Sequence, residues 1–164
     1  MRRILIALAL LAAMAPSTAP AVDQSALHYH LSPADKQAIL SEPYTIIKSI
    51  HRIPMPVLME MDRLHHGHLE MANPGEPFNA TDAITTPAPF RRLVFAVIAK
   101  DYCIVHYEHG GRGYNCPVAI FKLTHNKAHC IGFLVERGPL KDPAALKKVL
   151  SGNTASDYAE IMNL

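Results

Sequence analysis

RLVFAVIAKDYCIVHYEHGGRGYNCPVAIFKLTHNKAHCIGFL, Arg92 to Leu134, decides the fold of this chain. Leu93 to Ile98, Tyr102 to His109, Tyr114 to Leu123 and Cys130 to Val135 are rich in β-branched and aromatic residues. Turn-forming Lys100-Asp101, Gly110-Gly111-Arg112-Gly113 and His125-Asn126-Lys127 separate them, which predicts a four-stranded antiparallel β-meander. In the first run Leu93, Phe95 and Val97 alternate with Val94, Ala96 and Ile98, so both faces are apolar. Such a strand must be covered on both sides, by helices, by a loop or by a second copy of the chain in a homodimer. A turn at Gly110 to Gly113 would set His109 opposite Tyr114, Cys103 opposite Ile120 and Cys116 opposite Tyr107.

Upstream of the meander the pattern turns helical. Ser32-Pro33-Ala34-Asp35 reads as an N-cap, a proline at the first helical position and an acid three residues after the cap, opening a helix to about Leu40. Pro43 is expected to open a second helix, with Ile46, Ile47, Ile50 and Ile53 at helical spacing and Pro54 as the stop. Pro56 opens a third, striped by Val57, Met61 and Leu64 and fading near Gly67. Met71 to Phe90 has no period, a turn at Asn73-Pro74-Gly75 and several prolines, predicting an ordered loop laid across the sheet with a short strand around Ala83 to Thr85. Asn79-Ala80-Thr81 matches a glycosylation sequon. After the meander, Asp142-Pro143 caps a helix with Leu146, Val149 and Leu150 on one face and Gly152 at its end, and Tyr158, Ile161 and Met162 mark a last helical turn. The class is α+β: N-terminal helices, a four-stranded antiparallel meander, C-terminal helices.

The chain begins differently. Arg2-Arg3 is followed by the apolar run Ile4 to Met14, and Ala19-Pro20-Ala21 supplies small residues for a peptidase. These are the parts of a cleavable signal peptide, with an apolar run well short of the roughly 20 residues that span a bilayer. The expected organisation is a signal at 1–21, a flexible arm at 22–31 containing His28 and His30, and one α+β domain at 32–164. The mature protein is expected to be periplasmic or secreted, without a stable membrane anchor. Removing the signal takes two arginines and no acid, so the 16 basic and 14 acidic residues become 14 of each. Formal neutrality excludes a strongly basic nucleic-acid binder, and the ten histidines become the main reserve of charge in mild acid.

Three cysteines in an exported chain allow one disulfide. Cys103 with Cys130 is the preferred pair, provided the loop before Cys130 curls back across two strand spacings. The densest chemical segment is MPVLMEMDRLHHGHLEM, Met55 to Met71. Thioether and imidazole are copper ligands, thioether favouring the cuprous ion. If the third helix continues, Met61, His65 and His68 stand on one face as a metal site. Tyr107, Glu108, His109 and Arg112 form a polar, partly aromatic patch at one end of the sheet and the candidate binding surface, and the glycines around Arg112 could cradle an anion. No nucleophile elbow, P-loop, S-x-x-K or HExxH occurs, so no catalytic residue is assigned. An enzyme would need a cleft converging on His106, Glu108 or Asp82.

Small size, an export signal and an α+β body resemble small periplasmic binding, inhibitor or immunity proteins. That resemblance implies a module that binds another exported protein or a small ligand. The alternatives are a periplasmic copper or other metal-binding protein using residues 55–71, and an enzyme of unrecognised type.

Overall fold

The computed structural model describes residues 31–83 and 87–152. The signal segment, His28, His30, Ile84 to Thr86 and the turn expected around Tyr158 to Met162 lie outside the described residues. The order along the chain is α1 (Pro33–Ser41), β1 (Thr45–Ile47), a 3-10 turn (Ile50–Arg52), α2 (Met55–Leu64), β2 (Met71–Ala72), β3 (Arg91–Ala99), β4 (Tyr102–His109), β5 (Cys116–Thr124), β6 (Lys127–Glu136) and α3 (Pro143–Gly152). The fold is α+β. The sheet has six strands rather than four: β3 to β6 form the meander, and β1 and β2 both pair with β3, β1 antiparallel and β2 parallel.

The helix expected after Pro43 is the main correction. Thr45–Ile47 is a strand instead, pairing Ile46 with Val97 and Ile47 with Ala96. β-Branched residues lose side-chain freedom in a helix and fit a pleated edge, and β3 offers an unpaired edge to receive them. Only Ile50–Arg52 winds, as a single 3-10 turn.

Two further corrections concern register. Five residues separate His109 from its partner Asn115, one more than the expected turn, so Cys103 faces Phe121 and not Ile120. At β3 the pairing jumps from Leu93–Tyr107 to Phe95–His106. This bulge at Val94 sends Leu93 and Phe95 to opposite faces, as an extra unpaired residue must. It also sorts the core. Leu93, Cys103, Val105, Tyr107, Ala119 and Phe121 pack on one face with Ile47, Ile53 and with Val57 and Met61 of α2. Phe95, Val97, Ile104, Val118 and Ile120 pack on the other with Ile39 of α1 and Leu146 and Leu150 of α3. Helices thus cover both apolar faces of the chain's own sheet. Each buried Leu or Ile contributes about 1.5–3 kcal/mol.

Polar groups fix the layers. Ser32 caps α1 by accepting from the Asp35 amide at 3.1 Å. The Asp35 carboxylate in turn accepts from Lys122 Nζ at 2.8 Å and Tyr102 Oη at 2.7 Å, both on the sheet. With Lys122 foremost, then Ser32 and Tyr102, these donors lower the Asp35 pKa to about 2. At the other end of α1, Lys147 of α3 donates to the carbonyls of Leu40 and Glu42 and sits over the Tyr44 ring. α3 opens on Asp142, whose carboxylate accepts from the Ala145 amide at 2.9 Å. Leu31, placed in the flexible arm by its sequence, is buried against the α1–α3 side.

The Asn79 side chain ties the long loop together. Asn79 is buried, donates to the Ala83 carbonyl and accepts from the Thr81 amide and hydroxyl. The sequon asparagine therefore has its amide committed inside the fold. Phe78 stacks under Arg92 at 4.2 Å. Gly110 packs on the backbone of Asn79 and Ala80, leaving no room for a side chain. Ala83 belongs to no strand.

Candidate functional site

α2 begins after Pro54, and Pro56 in its first turn tolerates having no amide to donate. Val57 and Met61, one helical turn apart, are buried against the sheet. Met55 and Met59 repeat that spacing on the other side of α2 and are 66% and 67% exposed. The two methionines edge an open groove of about 310 Å³ whose lining also includes Leu58 and Asp62 of α2, Ile50 of the 3-10 turn, and Leu69 and Met71 beyond the helix. Asp62 also accepts from the Leu69 amide at 3.1 Å, tying the far wall to the helix. Met59 is shared with a second open groove of about 520 Å³, whose lining includes Glu60, Arg63, Lys127 and His129. The first groove is walled mainly by apolar and sulfur-bearing side chains, and its neighbour adds charged side chains to Pro56, Met59 and Ala128.

At the end of α2 the chain turns left-handed at His66 and Gly67, and the Gly67 amide closes back on the Asp62 carbonyl. His65 is consequently the helix cap, with its ring next to the sheet. Arg91 Nη2 lies 3.2 Å from His65 Nδ1, and Tyr107 Oη lies 3.3 Å from Nε2. A guanidinium only donates, so Nδ1 accepts and a neutral ring carries its proton on Nε2, which donates to the tyrosine oxygen. Burial, followed by Arg91, brings the His65 pKa down to about 4. Burial likewise raises the Tyr107 hydroxyl, and lowers His109, the cross-strand partner of Arg91. Arg91 also donates to the His68 carbonyl at 2.9 Å, while its buried Nε has no partner among the described residues. The cluster joins the helix end to the first strand of the meander.

The residues expected from sequence to act together are mostly apart. The metal set Met61, His65 and His68 loses its common face because α2 ends at Leu64. Met61 is buried in the core, His65 is engaged by Arg91 and Tyr107, and His68 is exposed on the following segment. Among the described residues no group of three or more His, Cys, Asp or Glu is placed to hold a metal ion. The patch Tyr107, Glu108, His109 and Arg112 is divided by strand alternation. Tyr107 is buried toward α2. Glu108, on the opposite face, makes a two-pronged pair with Arg92 at 2.6 and 3.0 Å and accepts from Tyr114 at 2.7 Å. Burial opposes ionisation of Glu108, but Arg92 and Tyr114 outweigh it and hold its pKa below the usual value. His109 is half-buried and Arg112 exposed. The amides of Gly110 and Gly111 donate to Phe90 and Thr81 carbonyls, so they are not turned toward an anion.

The expected Cys103–Cys130 pair is not bridged in this structure. Cys103, Cys116 and Cys130 are free thiols. Cys103 and Cys130 both sit opposite Phe121, one on each side, and two strand spacings of about 9.5 Å exceed the roughly 7 Å that a bridge tolerates. Burial pushes both thiols up to about 12. His106 is fully buried, with Nδ1 on the Pro117 carbonyl at 2.9 Å and Nε2 accepting from the Leu140 amide at 2.8 Å. Asp82 is exposed on the long loop, and neither described groove is lined by His106, Glu108 or Asp82.

Sequence reasoning marked Met55, Met59 and Met71 as part of a dense segment but passed over them as a set. The signal was present: Met55/Met59 and Val57/Met61 are two stripes at the same helical spacing, and only one can face the core. Arg91 had no such signal. No family model, curated protein or solved structure matches the chain. No described helix is long and apolar enough to cross a membrane.

Proposed function

We propose that this is a small exported protein that acts by binding, and that the methionine-edged groove along α2 is its ligand seat. The observation carrying this reading is the exposure of Met55 and Met59 on the rim of a groove whose walls are Ile50, Leu58, Leu69 and Met71, with Asp62 as the one charged side chain among its described residues. Large apolar side chains are normally turned inward, and a cluster of them around a concavity marks a place where something is received. Thioether side chains are flexible and polarisable, so they adapt to an apolar ligand or to a partner's apolar side chain. The signal-like segment Arg2 to Ala21 supports a site of action outside the cytoplasm. An enzymatic reading has less support, because both ring nitrogens of His106 are bonded to backbone and Glu108 is committed to Arg92 and Tyr114.

An environment-sensitive apolar dye, titrated onto the folded mature protein, tests the seat. Saturable one-site binding is expected, and Met59→Glu should abolish it while leaving the circular dichroism spectrum unchanged. Binding that never saturates, or that Met59→Glu leaves intact, rejects the groove as the seat.

A further inference from the structure

We infer that the groove is a thioether site for a soft monovalent cation of the cuprous type, with Met55, Met59 and Met71 as the sulfur donors. This rests on the groove being the ligand seat and names the ligand's chemical class. Four of the seven methionines fall within residues 55–71, and the fold treats them differently. Met61 is 1% exposed and fills the core, the ordinary use of this side chain. Exposed Met55 and Met59, with half-buried Met71 that also packs against the core, line one open groove. Two come from successive turns of α2 and the third from β2 across the groove, so three donors approach from two elements. Each sulfur hangs on a chain with three rotatable bonds, which gives the donors freedom to turn toward a shared ion.

The donor chemistry selects the ion. Neutral thioethers suit cuprous and similarly soft ions and serve zinc, calcium or magnesium poorly. Asp62 is the carboxylate on this lining and offsets a single positive charge. The histidines of the segment do not join the set: His65 is held by Arg91 and Tyr107, and no histidine lines this groove. Binding involves no electron transfer, so the redox-inert silver ion is a faithful probe.

The test is silver titration of the mature protein, labelled at the methionine methyl groups and followed by NMR, which reads thioethers separately from the three thiols. Methyl signals of Met55, Met59 and Met71 should shift together and saturate at one equivalent, with Met61 still; zinc should shift none. Met55→Leu/Met59→Leu/Met71→Leu keeps size and apolarity, and should lose the one-equivalent silver site yet still take the apolar dye. That combination separates the two claims. A parent protein that takes neither silver nor dye at this groove counts against the seat itself. Silver shifts confined to Met61, absent altogether, or retained as a one-equivalent site in the leucine variant overturn the thioether site. If the triple variant fails to fold, Met59→Leu alone must weaken silver binding, and unchanged affinity there is equally fatal.

Discussion

His65 shows how one side chain reports its surroundings. Its Nδ1 must stay unprotonated to accept from Arg91, and burial brings its pKa from 6.5 to about 4. The unfolded chain therefore takes up a proton near its ordinary value while the folded chain refuses it. The stability attached to a neutral His65 is complete above about pH 6.5 and drains away as the pH falls toward 4, with a ceiling of about 3 kcal/mol at 1.36 kcal/mol per unit. His106 and His109 shift in the same direction, also by burial, and add to the slope. Urea unfolding at a series of pH values should give a stability that declines through this window, less steeply in His65→Gln. An unchanged slope in the variant would remove His65 from this role. Little of the cluster could be read in advance, because Arg91, His65 and Tyr107 are distant in sequence and only the end of α2 brings them together.

At the scale of elements, the long loop and the glycine hairpin form one unit. Gly110 donates to the Phe90 carbonyl, and Gly111 to Thr81. A β-carbon at Gly110 would meet the Asn79 carbonyl and the Ala80 backbone, neither of which can swing aside like a flexible side chain. Gly110→Ala is expected to lift residues 79–81 off the hairpin and cost about 2 kcal/mol or more, within the range for strain at a packed site. Thermal unfolding would measure the loss, and limited proteolysis should newly cut the loop; a variant as stable and resistant as the parent contradicts the packing. The glycines were visible as a turn from sequence, and their tightness was not, since a close approach by a segment some thirty residues earlier leaves no local mark. Ser32 with Asp35, and Asp142 before Pro143, were legible as caps because capping is settled within one helical turn. Ile46 and Ile47 were misread for the opposite reason: their spacing suits a helix, and the free edge of β3 decided for a strand.

For the whole molecule, the sheet lies between α2 on one face and α1 with α3 on the other. Within that sheet the strand spacing keeps Cys103 and Cys130 apart on either side of Phe121. Mass spectrometry under denaturing, non-reducing conditions should count three thiols, on a chain whose first residue is Val22 if the signal is cut after Ala21. A mass lower by two hydrogens would signify a bridge that the strand spacing does not permit.

The sequence by itself determined what depends on neighbours in the chain: the four runs of the meander, their two apolar faces, the caps of α1 and α3, and the signal-like beginning. Alternation, capping and turn chemistry act over a few residues, so they are written locally. The tertiary structure decided the rest. It chose β1 over a helix, inserted the bulge at Val94, ended α2 before His65 and His68, and divided the methionines between core and groove. Each of these choices turns on which surface is already occupied when the chain packs, and that is a property of distant segments meeting in space.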